Sequence, residues 1–209
     1  MQTEVDQKQT VFVVEKDSGL RESLGVLFRA VGQPVELFVS GAALLSRLKR
    51  ESSGCILMNY MTPGCDGLRV MESLRQQGIM LPIIFMTAHG DINLAVSAMK
   101  AGARDFIEKP WAKGELLRAV EGAMRAEAMH RDTSMARQRA VEIVDAFTPR
   151  ELEVFDELVT GASTKMIART LDLSPRTVEF HRSNVLEKSG STSVASLVRL
   201  AFAAGRIAI

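Results

Sequence analysis

From residue 10 to about 125 the chain alternates short apolar runs, rich in β-branched residues, with stretches of helical period. The runs are TVFVV (10–14), VELFV (35–39), CILMN (55–59), PIIFM (82–86) and DFIEK (105–109), and helix-period segments lie near 18–31, 41–50, 66–77, 91–101 and 113–128. Five strands alternating with five helices predict a parallel sheet covered on both faces, because parallel neighbours need crossovers that helices usually supply. In such an open α/β sheet functional groups gather at the C-terminal strand ends. Those ends carry Glu15, Lys16 and Asp17 after the first strand, Asn59 after the third, Thr87 after the fourth, and Lys109 with Pro110 after the fifth.

Further along, the period of two disappears. Residues 121–146 are rich in Ala, Arg, Glu and Met, contain no Pro and hold Gly only at 122, so they read as a helical extension or connecting helix rather than a flexible linker. Helical patterns at about 149–160, 163–171, 175–189 and 193–204 follow, separated by GAS, DLS and GST. Pro149 and Pro175 stand in first-turn positions behind Thr148 and Ser174, both good N-caps. The expected organisation is a first domain over 9–127, a helical linker over 128–146 and a small all-α four-helix domain over 147–209.

Composition narrows the setting. No stretch approaches the roughly 20 apolar residues of a membrane-spanning helix, and the start MQTEVDQKQT lacks the basic and apolar regions of a signal peptide, so the expected location is cytoplasmic. Two cysteines are too few for a disulfide framework; Cys55 falls in the apolar third strand and Cys65 in the loop beyond it. A formal net charge of +1 removes a globally basic coat, so nucleic-acid binding must come from a local patch. No nucleophile–base pair, phosphate loop or metal-ligand cluster is visible, which argues against an enzyme.

The segment GCILMNYMTPGCDG (54–67) predicts a strand, a polar residue at its end and a turn closed by Pro63, Gly64 and Gly67. A carboxylate at such an end can attack a phosphoryl donor; the amide of Asn59 cannot, because its nitrogen lone pair is delocalised and it holds no cation. With VFVVEKD, FMTAHGD and AMKAGARDFIEKP, this segment makes residues 9–127 resemble the response-regulator receiver domain, which implies a flavodoxin-like, doubly wound, five-stranded parallel fold. In that family two acidic residues after the first strand and a phosphoacceptor aspartate after the third hold a magnesium ion. A Thr or Ser and a Lys after the next two strands bind the phosphoryl group. Thr87 and Lys109 match, Phe106 matches the aromatic switch position, and Lys109–Pro110 matches a bond that is usually cis. The resemblance also places Met99, Phe106 and Trp111 along a surface that receivers commonly use to dimerise.

The departures from the family matter more. Asn59 stands at the phosphoacceptor position, and Lys16 stands where one of the acidic pair is expected. An ammonium supplies no oxygen ligand and repels magnesium. Glu15, Lys16, Asn59 and Lys109 sum to +1, so the pocket is neutralised without a metal; Asp17 lowers the sum to zero and leaves open a weak site built on Glu15 and Asp17. The expectation is a degenerate pocket of Glu15, Lys16, Asn59, Thr87 and Lys109, with no cofactor and Mg²⁺ disfavoured. Lys16 and Lys109 would flank Glu15 and Asn59 in a fixed polar network.

In the second domain Met166, Ile167, Leu171, Leu173, Val178 and Val185 supply an apolar core for two helices joined by a turn at 172–174, and the helix from Pro175 is long enough for a major groove. Residues 147–201, with SPRTVEFHRSNVLEK at their centre, resemble the LuxR-type helix-turn-helix; both domains together point to the NarL/FixJ class of response regulators. That resemblance implies DNA contacts by Lys165, Arg176, Thr177, Glu179, Phe180, His181, Arg182, Ser183 and Lys188. Arg176, Thr177, His181, Arg182 and Lys188 can reach phosphates, while Glu179, Phe180 and Ser183 face base edges. Glu179 is the favoured base reader, because a carboxylate accepts from a cytosine amino group.

The leading expectation is a transcription regulator that binds promoter DNA as a homodimer and works with RNA polymerase, downstream of a sensor histidine kinase or other signalling protein. The competing expectations are a module that sequesters a protein partner, and a conventional phosphorelay regulator using another switch.

Overall fold

The computed structural model describes residues 9–62, 65–88 and 92–207. Pro63 and Gly64, expected to close the turn after Asn59, and the side chain of Cys65 lie outside the described residues. The chain divides into two compact units, the first ending at His130 and the second beginning at Arg131.

In the first unit the elements are β1 (Thr10–Val14), α1 (Ser18–Ala30), β2 (Val35–Phe38), α2 (Gly41–Arg47), β3 (Gly54–Asn59), β4 (Met61–Thr62), β5 (Cys65–Asp66), α3 (Gly67–Gln76), β6 (Ile83–Thr87), α4 (Ile92–Lys100), β7 (Asp105–Glu108) and the start of α5 (Lys113–Asp145). Five strands form a parallel sheet in the order β2-β1-β3-β6-β7. The short antiparallel β4–β5 ladder was not expected from the sequence. The strand order reverses its direction of growth between β1 and β3, where an open α/β sheet forms its crevice. Glu15 and Asn59 lie at the two ends that frame it.

The strands are apolar on both faces because both faces are covered. Phe12, Val14, Ile56, Met58 and Phe85 pack on one side with Leu44, Val70, Leu74 and Ala98. Val11, Val13, Cys55, Leu57, Ile84 and Met86 alternate to the other, against Leu24, Phe28, Leu116 and Val120. Gly67 follows from close approach: a Cβ there would stand 2.6 Å from Phe85 Cε1 and 3.0 Å from the Tyr60 carbonyl oxygen. Its N–H donates to that carbonyl at 3.1 Å, which holds the chain after Asn59 against the sheet.

The helix expected near 113–128 and the helical extension expected through 146 are one element, α5, from Lys113 to Asp145, so the residues expected as a helical linker over 128–146 belong to the same helix. No proline interrupts it, and of its two glycines Gly114 lies in the first turn while Gly122, further in, costs only about 1 kcal/mol against alanine. The second unit continues with α6 (Pro149–Val159), α7 (Thr164–Thr170), α8 (Pro175–Ser189) and α9 (Val194–Ala203). Thr148 caps α6 in a reciprocal capping box with Glu151, and Ser174 caps α8 through the Thr177 N–H. Val144, Phe147, Val154, Phe155, Leu158, Ile167, Val178, Val185 and Leu197 form the core. Met166, expected within it, is instead 59% exposed. It sits one residue, hence about 100° of helix turn, from buried Ile167, which with Ala168 sets the inward face of α7. Asp172 takes the left-handed conformation in the turn, which a short polar side chain tolerates.

Candidate functional site

At the strand-end crevice the structure brings Glu15, Thr87 and Lys109 together. Glu15 is 2% exposed; its Oε2 lies 2.7 Å from Lys109 Nζ, and its Oε1 accepts from the Asp17 N–H at 3.0 Å. Lys109 N–H donates to the buried Thr87 carbonyl at 2.6 Å, and the ammonium stands 5.9 Å from the Trp111 ring. The Lys109–Pro110 bond is cis. Arg21 donates to the carbonyls of Glu15 at 2.8 Å and Lys16 at 3.0 Å, bracing the loop after β1. Asn59 is half-buried at the end of β3, and its amide makes no hydrogen bond with the described residues.

The expected four-member network is therefore corrected to a pair. The Lys16 side chain is exposed and makes no ion pair with the described residues, since its neighbour Glu15 is the one turned inward and burial beside Lys109 would oppose two cations. Asp17 does not face the pocket either: its Oδ1 accepts from Leu20 N at 2.7 Å as the N-cap of α1.

Phe106 is half-buried against Tyr60 in an edge-on contact of 5.8 Å, and Tyr60 meets Phe85 edge-on at 5.3 Å. Burial, and then the Asp66 carboxylate, raise the Tyr60 phenol above its ordinary pKa. Trp111 is half-buried in the second core face, so Met99 alone of the three expected dimer-surface residues is exposed. Burial, and then Glu127, push the Cys55 thiol up to about 12, which makes it inert packing.

In the second unit α8 presents Arg176, Glu179, Phe180 and Ser183 as one exposed stripe at helical spacing. Phe180 is 62% exposed and touches the His181 ring at 5.5 Å. His181 is half-buried, with Nδ1 shielded and unpartnered among the described residues. Thr177 belongs to the helix cap, its hydroxyl 2.7 Å from that of Ser174. Lys165 is exposed on α7, and Arg182 lies 3.5 Å from Glu179 Oε1. The same Oε1 accepts from the Thr164 hydroxyl at 2.6 Å.

Lys188 is the correction here. Rather than pointing to phosphates, its Nζ lies 2.6 Å from Oε2 of buried Glu151, the capping-box glutamate of α6. The Lys188 contact first, and the Thr148 backbone N–H second, hold the Glu151 carboxyl down at about 2. The sequence marked Thr148 as a cap, but neither its reciprocal partner Glu151 nor the lysine that meets Glu151 was read from it.

Residues 11–121 match the response regulator receiver domain, and residues 145–201 match the bacterial regulatory proteins of the luxR family. The transcriptional regulatory protein FixJ of Bradyrhizobium diazoefficiens is 39% identical over 96% of this chain and 98% of its own. The chain belongs to the NarL/FixJ class of response regulators. TodT of Pseudomonas putida, a response regulator protein, is 34% identical over 93% of this chain and 86% of its own. The solved structure of the response regulator StyR superposes with a TM-score of 0.86 at 36% identity, over 93% of this chain and 98% of that one. Full-length FixJ from B. japonicum matches with a TM-score of 0.59 at 38% identity, over 97% of this chain and all of the other.

As a member of this class the chain is a transcription regulator with a receiver and a DNA-binding domain. The magnesium ion that the receiver fold implies does not fit these residues. Of the carboxylates expected around it, one is Asn59 and one is the outward Lys16, and Glu15 is already held by Lys109 and the Asp17 N–H. No helix among the described residues is long and apolar enough to cross a membrane.

Proposed function

We propose that this regulator binds promoter DNA without a phosphorylation switch, its receiver serving as a dimerisation or docking module. The observation that carries the reading is the Glu15–Lys109 pair. The acid that would meet a metal is neutralised by the lysine that would meet a phosphoryl group, beside an amide that is no nucleophile. The chain performs no catalysis of its own in this reading, and it acts in the cytoplasm.

A two-fold site is favoured on charge grounds. Between Ser174 and Ser191 the cations are Arg176, Arg182 and Lys188, against Glu179 and Glu187, and Lys188 is spent on Glu151. So few phosphate contacts give weak binding for one copy, and a symmetric pair doubles them. Exposed Ile92, Val96 and Met99 at positions i, i+4 and i+7 of α4 offer an apolar stripe for a second copy. RNA polymerase is the downstream partner of this reading, and a sensor histidine kinase or other signalling protein the upstream one.

Full-length protein incubated with acetyl phosphate and Mg²⁺ is expected to gain no phosphoryl mass. It is expected to shift a pool of randomised duplex DNA to the same extent before and after that treatment. A stable acyl phosphate, or DNA binding that appears only after treatment, overturns the reading.

A further inference from the structure

We propose that Thr164 is a positioning residue for base readout: its hydroxyl fixes one carboxylate oxygen of Glu179, so that the other is presented as an acceptor for a cytosine amino group. This deepens the reading of α8 as the DNA-contacting helix and rests on it.

Thr164 is the first residue of α7, half-buried, and Glu179 lies on the exposed stripe of the next helix. The 2.6 Å bond from Thr164 Oγ1 reaches Glu179 Oε1, and Arg182 Nη1 stands 3.5 Å from that same oxygen. Oε2 has no partner among the described residues. A bond from a hydroxyl to a carboxylate is charge-assisted and short, and here it crosses between two helices that share one core.

The geometry bears on specificity. A glutamate side chain loses much rotamer freedom when it is ordered, and a chain ordered before binding has that loss already behind it. In the major groove the free oxygen accepts from cytosine N4, whereas guanine N7 and O6 and thymine O4 are acceptors that a fixed carboxylate repels, and adenine sets its N7 acceptor beside its N6 donor. A loose glutamate could swing away from a wrong base; one tethered at Oε1 cannot.

The test uses full-length protein and a pool of duplexes whose core of about 20 base pairs, enough for two half-sites one helical turn apart, is randomised. Bound duplexes are sequenced, and affinity for unselected random duplex is measured beside them. Wild-type protein is expected to select cytosine at one symmetry-related position in each half-site, and Glu179→Ala is expected to lose that selection. Thr164→Val, which keeps shape and removes the donor, is expected to weaken it at least about fivefold, the low end of what a good base contact supplies. Affinity for random duplex should stay unchanged, Thr164→Ser should restore selection, and Thr164→Val combined with Glu179→Ala should be no worse than Glu179→Ala alone. A merely structural role would lower random-duplex affinity and stability instead. If Thr164→Val and Thr164→Ala both keep wild-type selection while Glu179→Ala loses it, the positioning role is wrong and the base reader stands. If Glu179→Ala keeps the selection, Glu179 reads no base and both fall.

Discussion

Lys109 Nζ lies 2.7 Å from Glu15 Oε2, an ion pair that ties the end of β1 to the end of β7 with the carboxylate almost wholly buried. Taking two charges out of water is expensive, and such a pair holds only while both partners remain. In the proposed reading the pair occupies with fixed protein charge the place where an ion and a phosphoryl group would otherwise meet.

Removing the cation alone should therefore be severe. Lys109→Met leaves Glu15 buried and unpaired and is expected to destabilise the receiver by about 3–5 kcal/mol. Glu15→Leu together with Lys109→Met should recover most of that loss, because well-packed apolar groups replace a buried pair at little cost. Urea denaturation of Lys109→Met, Glu15→Leu and the double variant checks it, and a double variant that loses the sum of the two single losses would contradict the pairing.

Restoring a phosphoacceptor by itself should change little. Asn59→Asp supplies a nucleophile, but Lys16 still leaves the metal one carboxylate short. Only Asn59→Asp with Lys16→Asp is expected to take up phosphoryl from a small donor in the presence of Mg²⁺. Intact mass measurement reads it directly, and equal labelling of the single and double variants would show that Lys16 is not the obstacle.

Lys188→Ala should act on stability rather than on DNA. It leaves the buried Glu151 carboxylate with the Thr148 N–H as its main partner and is expected to cost about 1–3 kcal/mol. The salt slope of DNA binding should stay unchanged, in contrast to Arg182→Ala, which should reduce it by about one. The Glu151 carboxyl is depressed in the folded state, so its contribution is complete above the ordinary carboxylate value. That contribution is lost as pH falls from about 4.5 toward about 2. Acid unfolding followed by circular dichroism should show a loss over that window in the wild type and a flatter one in Lys188→Ala.

Phe180, on the exposed stripe of α8, is expected to contact a thymine methyl group. Replacing thymine by deoxyuracil at the contacted position should weaken binding by about 0.8 kcal/mol, roughly fourfold, as for one buried methylene. Phe180→Ala should abolish that difference. Fluorescence anisotropy on matched duplexes measures it, and a methyl effect that survives Phe180→Ala would reassign the contact.

What the sequence determined by itself is local. The short run of β-branched and aromatic apolar residues marked β1 at Thr10–Val14, the Thr148 and Ser174 caps marked the starts of α6 and α8, and the absence of proline allowed α5 to run on to Asp145. Asn59 and Lys16 declared a pocket unlike its family because that depends on which residue stands where, not on geometry. Only the tertiary structure decided which long side chains meet. Lys109 reaches Glu15 across 94 residues, Lys188 turns from the groove to Glu151 across 37, and Thr164 meets Glu179 across 15. A lysine or a glutamate has several torsions and no fixed face, so its partner follows from which helices and strands pack side by side. That arrangement is set by the cores around Phe85, Phe28 and Phe155 rather than by the charges themselves.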